Sequence, residues 1–100
     1  MIYLFELKHE ASQEYIDAFV WYEEQQASLG YQFQKAFDDK LKLICKNPYH
    51  YKVIHKNYHE ALTEKFPFSI IYRIDEESKL IIVVAIFYTS RNPKKKFRKI

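Results

Sequence analysis

Glycine occurs once in this chain of 100 residues, at position 30, and proline three times. Such scarcity argues against a flexible or disordered protein, and one glycine cannot build a glycine-rich phosphate loop. Cysteine also occurs once, as Cys45, so no internal disulfide can form and a reducing, cytoplasmic setting fits. Long hydrophobic runs are absent: the longest, Leu80 to Tyr88, is far too short to span a bilayer. Residues 2–5 are apolar but stop at Glu6, with no basic stretch before them and no small-residue cleavage site after, so no signal peptide is legible. Acidic side chains are missing from residues 91–100, which hold six of the 16 basic groups. Residues 1–90 then carry ten basic against 13 acidic side chains and are net −3. Positive charge gathered at one end of a mildly acidic body suggests a polyanionic partner, or else a solvated tail.

What is present is a core. The chain is 48% hydrophobic and 18% aromatic, enough for residues 1–100 to form one domain without disulfide or metal. Its organising stretch is residues 66–93, which read as a β-hairpin. Phe68, Ile70, Tyr72 and Ile74 alternate with Ser69, Ile71 and Arg73, and Asp75-Glu76-Glu77-Ser78 makes a charged turn. From Leu80 to Phe87 every position is apolar and most are β-branched, which predicts a strand covered on both faces in the middle of a sheet.

Upstream, residues 2–7 alternate as a short first strand. Ala11, Tyr15, Ala18, Phe19 and Tyr22 then recur at helical spacing, predicting a helix that ends near Gly30 with that glycine as its left-handed cap. Phe33, Ala36, Phe37, Leu41 and Ile44 mark a second helix over residues 31–46, closed by Asn47-Pro48. Two helices so closely joined form an antiparallel hairpin. Residues 49–54 and 59–65 read as shorter strands around His55-Lys56-Asn57-Tyr58. The order βααββββ is that of an α+β domain, a strand and helical hairpin packed on one face of a small antiparallel sheet whose other face is open and concave.

For chemistry, His50, His55 and His59 fall within ten residues, but with one thiol and no His-Glu-x-x-His helix they read as surface or rim histidines, and no metal or cofactor is called for. The remaining set is cationic and aromatic: Lys52, His55, Lys56, His59, Arg73, Tyr88, Arg91 and Lys94. Metal-free RNA cleavage needs a base for the 2′-hydroxyl proton, fixed positive charge for the phosphate and an acid for the leaving oxygen. These side chains could supply all three. They would equally serve binding alone, with Lys and Arg on phosphates and Tyr stacked on a base.

The succession of Trp21-Tyr22-Glu23, Leu29-Gly30 then Phe33, Asn47-Pro48-Tyr49, Lys65-Phe66-Pro67-Phe68, Ile71-Tyr72-Arg73-Ile74, Ile86-Phe87-Tyr88 and Arg91-Asn92-Pro93 resembles the RelE/ParE family of type II toxin–antitoxin toxins, its ParE-like branch most. That resemblance implies a cytoplasmic growth inhibitor, neutralised by a cognate antitoxin, that acts on DNA gyrase as ParE-like members do or cuts messenger RNA in the ribosome as RelE-like members do. The family's motifs carry over at Arg91 and Pro93, which match its Arg-x-Pro, and at Phe66-Pro67; for a nuclease, the cationic and aromatic set above would give proton transfer to Tyr88 or His59 and charge stabilisation to Arg91 with Lys56. For target or antitoxin binding, the basic side chains to expect are Lys52, Arg73, Arg91, Lys94, Lys95 and Arg98. The chain departs from the family pattern where His59-Glu60 precede Ala61-Leu62, a place where relatives commonly have arginine, and where Tyr88 stands in place of histidine. A degenerate toxin, or a nucleic-acid-binding module without activity, is the alternative.

Overall fold

The structure, a computed structural model, describes residues 2–88; the expectations resting on Arg91, Pro93, Lys94, Lys95 and Arg98 lie outside the described residues. The chain runs β1 (Leu4–Leu7), α1 (His9–Gln25), α2 (Leu29–Lys46), a 3-10 turn (Pro48–His50), β2 (Lys52–His55), β3 (Tyr58–Leu62), β4 (Phe68–Asp75) and β5 (Leu80–Tyr88). This is the α+β order read from the sequence. The five strands form one sheet in the order β1-β5-β4-β3-β2. Strands β2 to β5 pair antiparallel, whereas β1 lies parallel to β5, with Leu4 beside Leu80 and Leu7 beside Val83. Period-2 patterning is blind to strand direction, so the parallel edge had no signature in the sequence.

Strand β5 is interior and buried on both faces, as its composition predicts. A register shift opposite Ile71 and Tyr72 decides which side chains face which way: Ile71 pairs with Ala85 but Tyr72 with Val83, so Val84 is an extra residue. Ile81, Val83 and Ile86 thereby join Ile70 and Tyr72 under the helices, where Ala11, Phe37, Leu41 and Ile44 complete the core. On the helix-free face Ile71, Ala85 and Phe87 are buried, with Ile54, Tyr58 and Val84 packed against them. The face expected to be open therefore has a small apolar centre of its own.

The helices pack through rings. Tyr15 lies 4.8 Å from Phe37, and Tyr22 lies 5.5 Å from Phe33, so contacts advance along α1 as they recede along α2, the mark of an antiparallel hairpin. Gly30 does not cap α1. It sits in the first turn of α2 without positive φ, and the left-handed residue is Ser28, at φ 75°. What Gly30 supplies is room, because a Cβ there would meet the Phe19 carbonyl oxygen at 2.7 Å. Glu23 locks the same corner: its Oε2 accepts the Ser28 N–H and its Oε1 the Gly30 N–H, both at 2.9 Å, satisfying donors that open α2.

Strands β2 and β3 are shorter than residues 49–54 and 59–65. Tyr49 and His50 are taken up by the turn that Pro48 starts, where proline's fixed φ suits a first helical position. Beyond Leu62 the Thr63 N–H still donates to the Phe68 carbonyl at 2.9 Å, and its hydroxyl, shared between the Phe66 and Phe68 carbonyls at 3.0 Å from each, closes a tight turn through Lys65 at φ 69°.

Candidate functional site

Strand register distributes the candidate residues over separate places. Lys52 is paired with Glu60, Glu60 with Ile71 and Ile71 with Ala85, a row that crosses the helix-free face. Arg73, paired with Ile82, lies two residues from Ile71 along β4 and so on the same face, its backbone about 12 Å from that of Lys52. The Ser69 hydroxyl donates to Glu60 Oε2 at 2.8 Å and orients the carboxylate between them. Among the described residues, no side-chain hydrogen bond or ion pair engages Lys52 or Arg73. Two cations framing an apolar centre can hold an anionic or acidic surface.

His59 is elsewhere. It projects to the helix side of β3 beside Tyr72 and is 7% exposed, which corrects its reading as a surface or rim histidine. Its ring stacks on Tyr72 with centroids 5.2 Å apart, and its Nδ1 meets the Tyr51 carbonyl at 2.8 Å, which makes that nitrogen the donor. The Tyr72 hydroxyl in turn donates to the Pro48 carbonyl at 2.6 Å. Burial pushes the Tyr72 phenol well above its ordinary pKa, so it stays a neutral donor. These contacts tie β2 and the 3-10 turn to the sheet.

Tyr88 ends β5, paired with Phe68, their rings 5.2 Å apart. His59 pairs with Tyr72, four residues further along β4, so the backbones of Tyr88 and His59 are about 16 Å apart. Lys56 occupies the β2–β3 turn at φ 51°, and His55 ends β2. Among the described residues, then, His59, Lys56 and Tyr88 form no single constellation.

Tyr88 lines a cleft of about 420 Å3 between α1 and the sheet, together with Glu14, Asp17, Trp21, Tyr22 and Phe68. Glu14 Oε1 accepts the Ile86 N–H at 3.0 Å, beyond the point where β1 stops pairing with β5. Sequence reasoning missed this cleft. The available signal was Trp21, which falls outside the apolar stripe of α1 and is 56% exposed, an expensive residue to leave in water unless a surface uses it.

A family model described as ParE toxin of type II toxin–antitoxin system, parDE, matches residues 5–93. No curated protein sequence matches. Among solved structures, the chain is similar to the chromosomal ParDE toxin–antitoxin system from P. aeruginosa, with a TM-score of 0.74 at 12% identity over 87% of this chain and 96% of that one. It is also similar to the E. coli RelBE toxin–antitoxin complex, at TM-score 0.64 and 14% identity over 89% and 99%, and to the RelBE2 complex from Mycobacterium tuberculosis, at 0.64 and 11% over 88% and 99%.

Proposed function

Because the chain belongs to the ParE toxin family of type II toxin–antitoxin systems, we propose that it arrests growth by binding its target, DNA gyrase, rather than by cutting RNA, and that a cognate antitoxin neutralises it in the cytoplasm. Fold does not choose between these activities, since one scaffold hosts both. The observation that favours binding is the dispersal of the acid–base candidates: His59 is 7% exposed with its Nδ1 held by the Tyr51 carbonyl, while Tyr88 lies on another strand facing a cleft of its own. General acid–base catalysis needs both groups within hydrogen-bond reach of one scissile linkage. Binding needs only Lys52 and Arg73 on their shared face, and the sequence offers further cations at 91, 94, 95 and 98.

The test is induced expression in a bacterium, with messenger RNA integrity and plasmid supercoiling followed as growth stops. Arrest with intact messages and altered plasmid topology is the expected result. Cut messages with normal topology would replace it with the nuclease, and no arrest at verified expression would leave a binding module.

A further inference from the structure

Helix α1 carries five carboxylates and no lysine or arginine. Four of them, Glu10, Glu14, Asp17 and Glu24, recur with Trp21 at steps of four, three, four and three residues, so one stripe runs the length of the helix. The middle of that stripe, Glu14, Asp17 and Trp21, is one wall of the cleft of about 420 Å3 whose other side is Phe68, Ile86 and Tyr88. Glu14 Oε1 accepts the Ile86 N–H at 3.0 Å, which sets the stripe against β5 two residues before that strand ends. Asp17 and Trp21 are exposed at the rim, the indole standing at 80° to the Tyr22 ring with centroids 5.1 Å apart. Carboxylates around aromatic rings repel an anionic partner and suit a cation, which gains charge attraction from the first and a ring face from the second.

The chain itself holds a stretch of the matching chemistry. Residues 91–100 carry six basic side chains and no acidic one, the counterpart of α1. They follow Tyr88, itself a lining residue of the cleft, after only Thr89 and Ser90. The 12 residues beyond Tyr88 can extend up to about 40 Å, whereas the stripe from Glu10 to Glu24 spans about 21 Å. Reach is therefore sufficient for the whole stripe. So short a tether also gives an effective concentration on the order of millimolar, against which any separate cationic peptide must compete.

We propose that the α1 cleft is a docking site for the chain's own basic segment, residues 91–100, with lysine and arginine side chains along the carboxylate stripe and one of them over the Trp21 ring. Cations held there are withheld from the face of Lys52 and Arg73, so docking and target binding draw on the same charges. The docking itself does not rest on the toxin reading.

Trp21 is the only tryptophan in the chain, so acrylamide quenching of its fluorescence in the purified full-length protein reads this cleft alone. The expected result is a quenching constant that rises at least about twofold in the triple variant Lys94→Glu, Lys95→Glu, Lys96→Glu, and by a similar factor for the parent in about 1 M NaCl. Asp17→Asn with Glu24→Gln should raise it likewise. Joining the two sets of substitutions should add nothing further, since both undo one contact. Thermal midpoints check that each variant folds, and the salt comparison needs no substitution. A constant indifferent to the three lysines and to salt, or effects of the two sets that simply add, would overturn the proposal. So would a parent constant that climbs on dilution from about 100 to 1 μM, which would assign the cleft to the basic segment of a second copy.

Discussion

The Tyr49 hydroxyl donates to Glu76 Oε2 at 2.6 Å, joining the turn after α2 to the β4–β5 hairpin. The Tyr3 hydroxyl reaches the same oxygen at 2.8 Å, and the Lys79 ammonium pairs with Oε1. One exposed carboxylate thus fastens three separate parts of the chain, including the strand that enters the sheet parallel. Hydrogen bonds from Lys79, Tyr49 and Tyr3 hold Glu76 down to about 2, from an ordinary value of 4.5. A depressed carboxylate contributes stability that is whole above its unfolded pKa and is lost as pH falls through the folded one. The thermal midpoint should therefore fall as pH drops from about 4.5 to about 2. Glu76→Gln should lower the midpoint at pH 7 and flatten that acid slope, and salt should weaken the effect because the groups are exposed.

From the other side of the same bond, Glu76 pushes the Tyr49 phenol up to about 12. A raised phenol keeps its contribution below the ordinary value of 10.0 and loses it as pH rises toward 12. Phenolate absorbance titration should show the Tyr49 transition move toward 10 in Glu76→Gln and disappear in Tyr49→Phe, while the buried Tyr72 phenol stays late in both.

Gly30 is required for the approach of α2 to α1, so Gly30→Ala should destabilise by about 1–3 kcal/mol in chemical denaturation, although alanine is the better helix former. The Phe19 carbonyl 2.7 Å from the added carbon is backbone and cannot rotate aside. A neutral or stabilising result would show that the helices part freely.

With one glycine in the chain, left-handed turn positions fall to Ser28, Lys56, Lys65 and Lys79. Each carries the steric cost of a Cβ at positive φ. Lys65 is exposed, in the turn that Thr63 closes, so Lys65→Gly should raise stability by up to about 1 kcal/mol, the relief of strain exceeding the added freedom of the unfolded chain. Denaturant midpoints at constant slope would measure it.

Tyr88→Phe removes only a hydroxyl and keeps the ring against Phe68. If the protein acts by binding, growth arrest should persist in this variant. If Tyr88 moves a proton, activity should fall by about 100-fold or more, which growth curves at matched expression would reveal.

The divided placement of the candidate residues shows where sequence reading stops. Placing Lys52 and Arg73 together needs strand period plus the registers of β2 on β3 and of β3 on β4. That His59 and Tyr88 are about 16 Å apart needs the registers of β3, β4 and β5 at once, and no local pattern encodes them. His59 was misread because an imidazole in a polar stretch looks like surface, and only the stacked Tyr72 and the Tyr51 carbonyl make its burial affordable.

Periodicity and composition by themselves determined the two helices, the span of β5, the helical hairpin and the α+β order, because each rests on short-range spacing of apolar side chains that the backbone geometry must bury together. The motif succession carried the family. Tertiary structure alone decided the parallel entry of β1, the bulge at Val84 that turns Ile86 toward the helices, the use of Gly30 for clearance, and the separation of His59 from Tyr88. All four depend on which strands lie side by side and in what register. That is a property of long-range packing, to which spacing along the chain is blind.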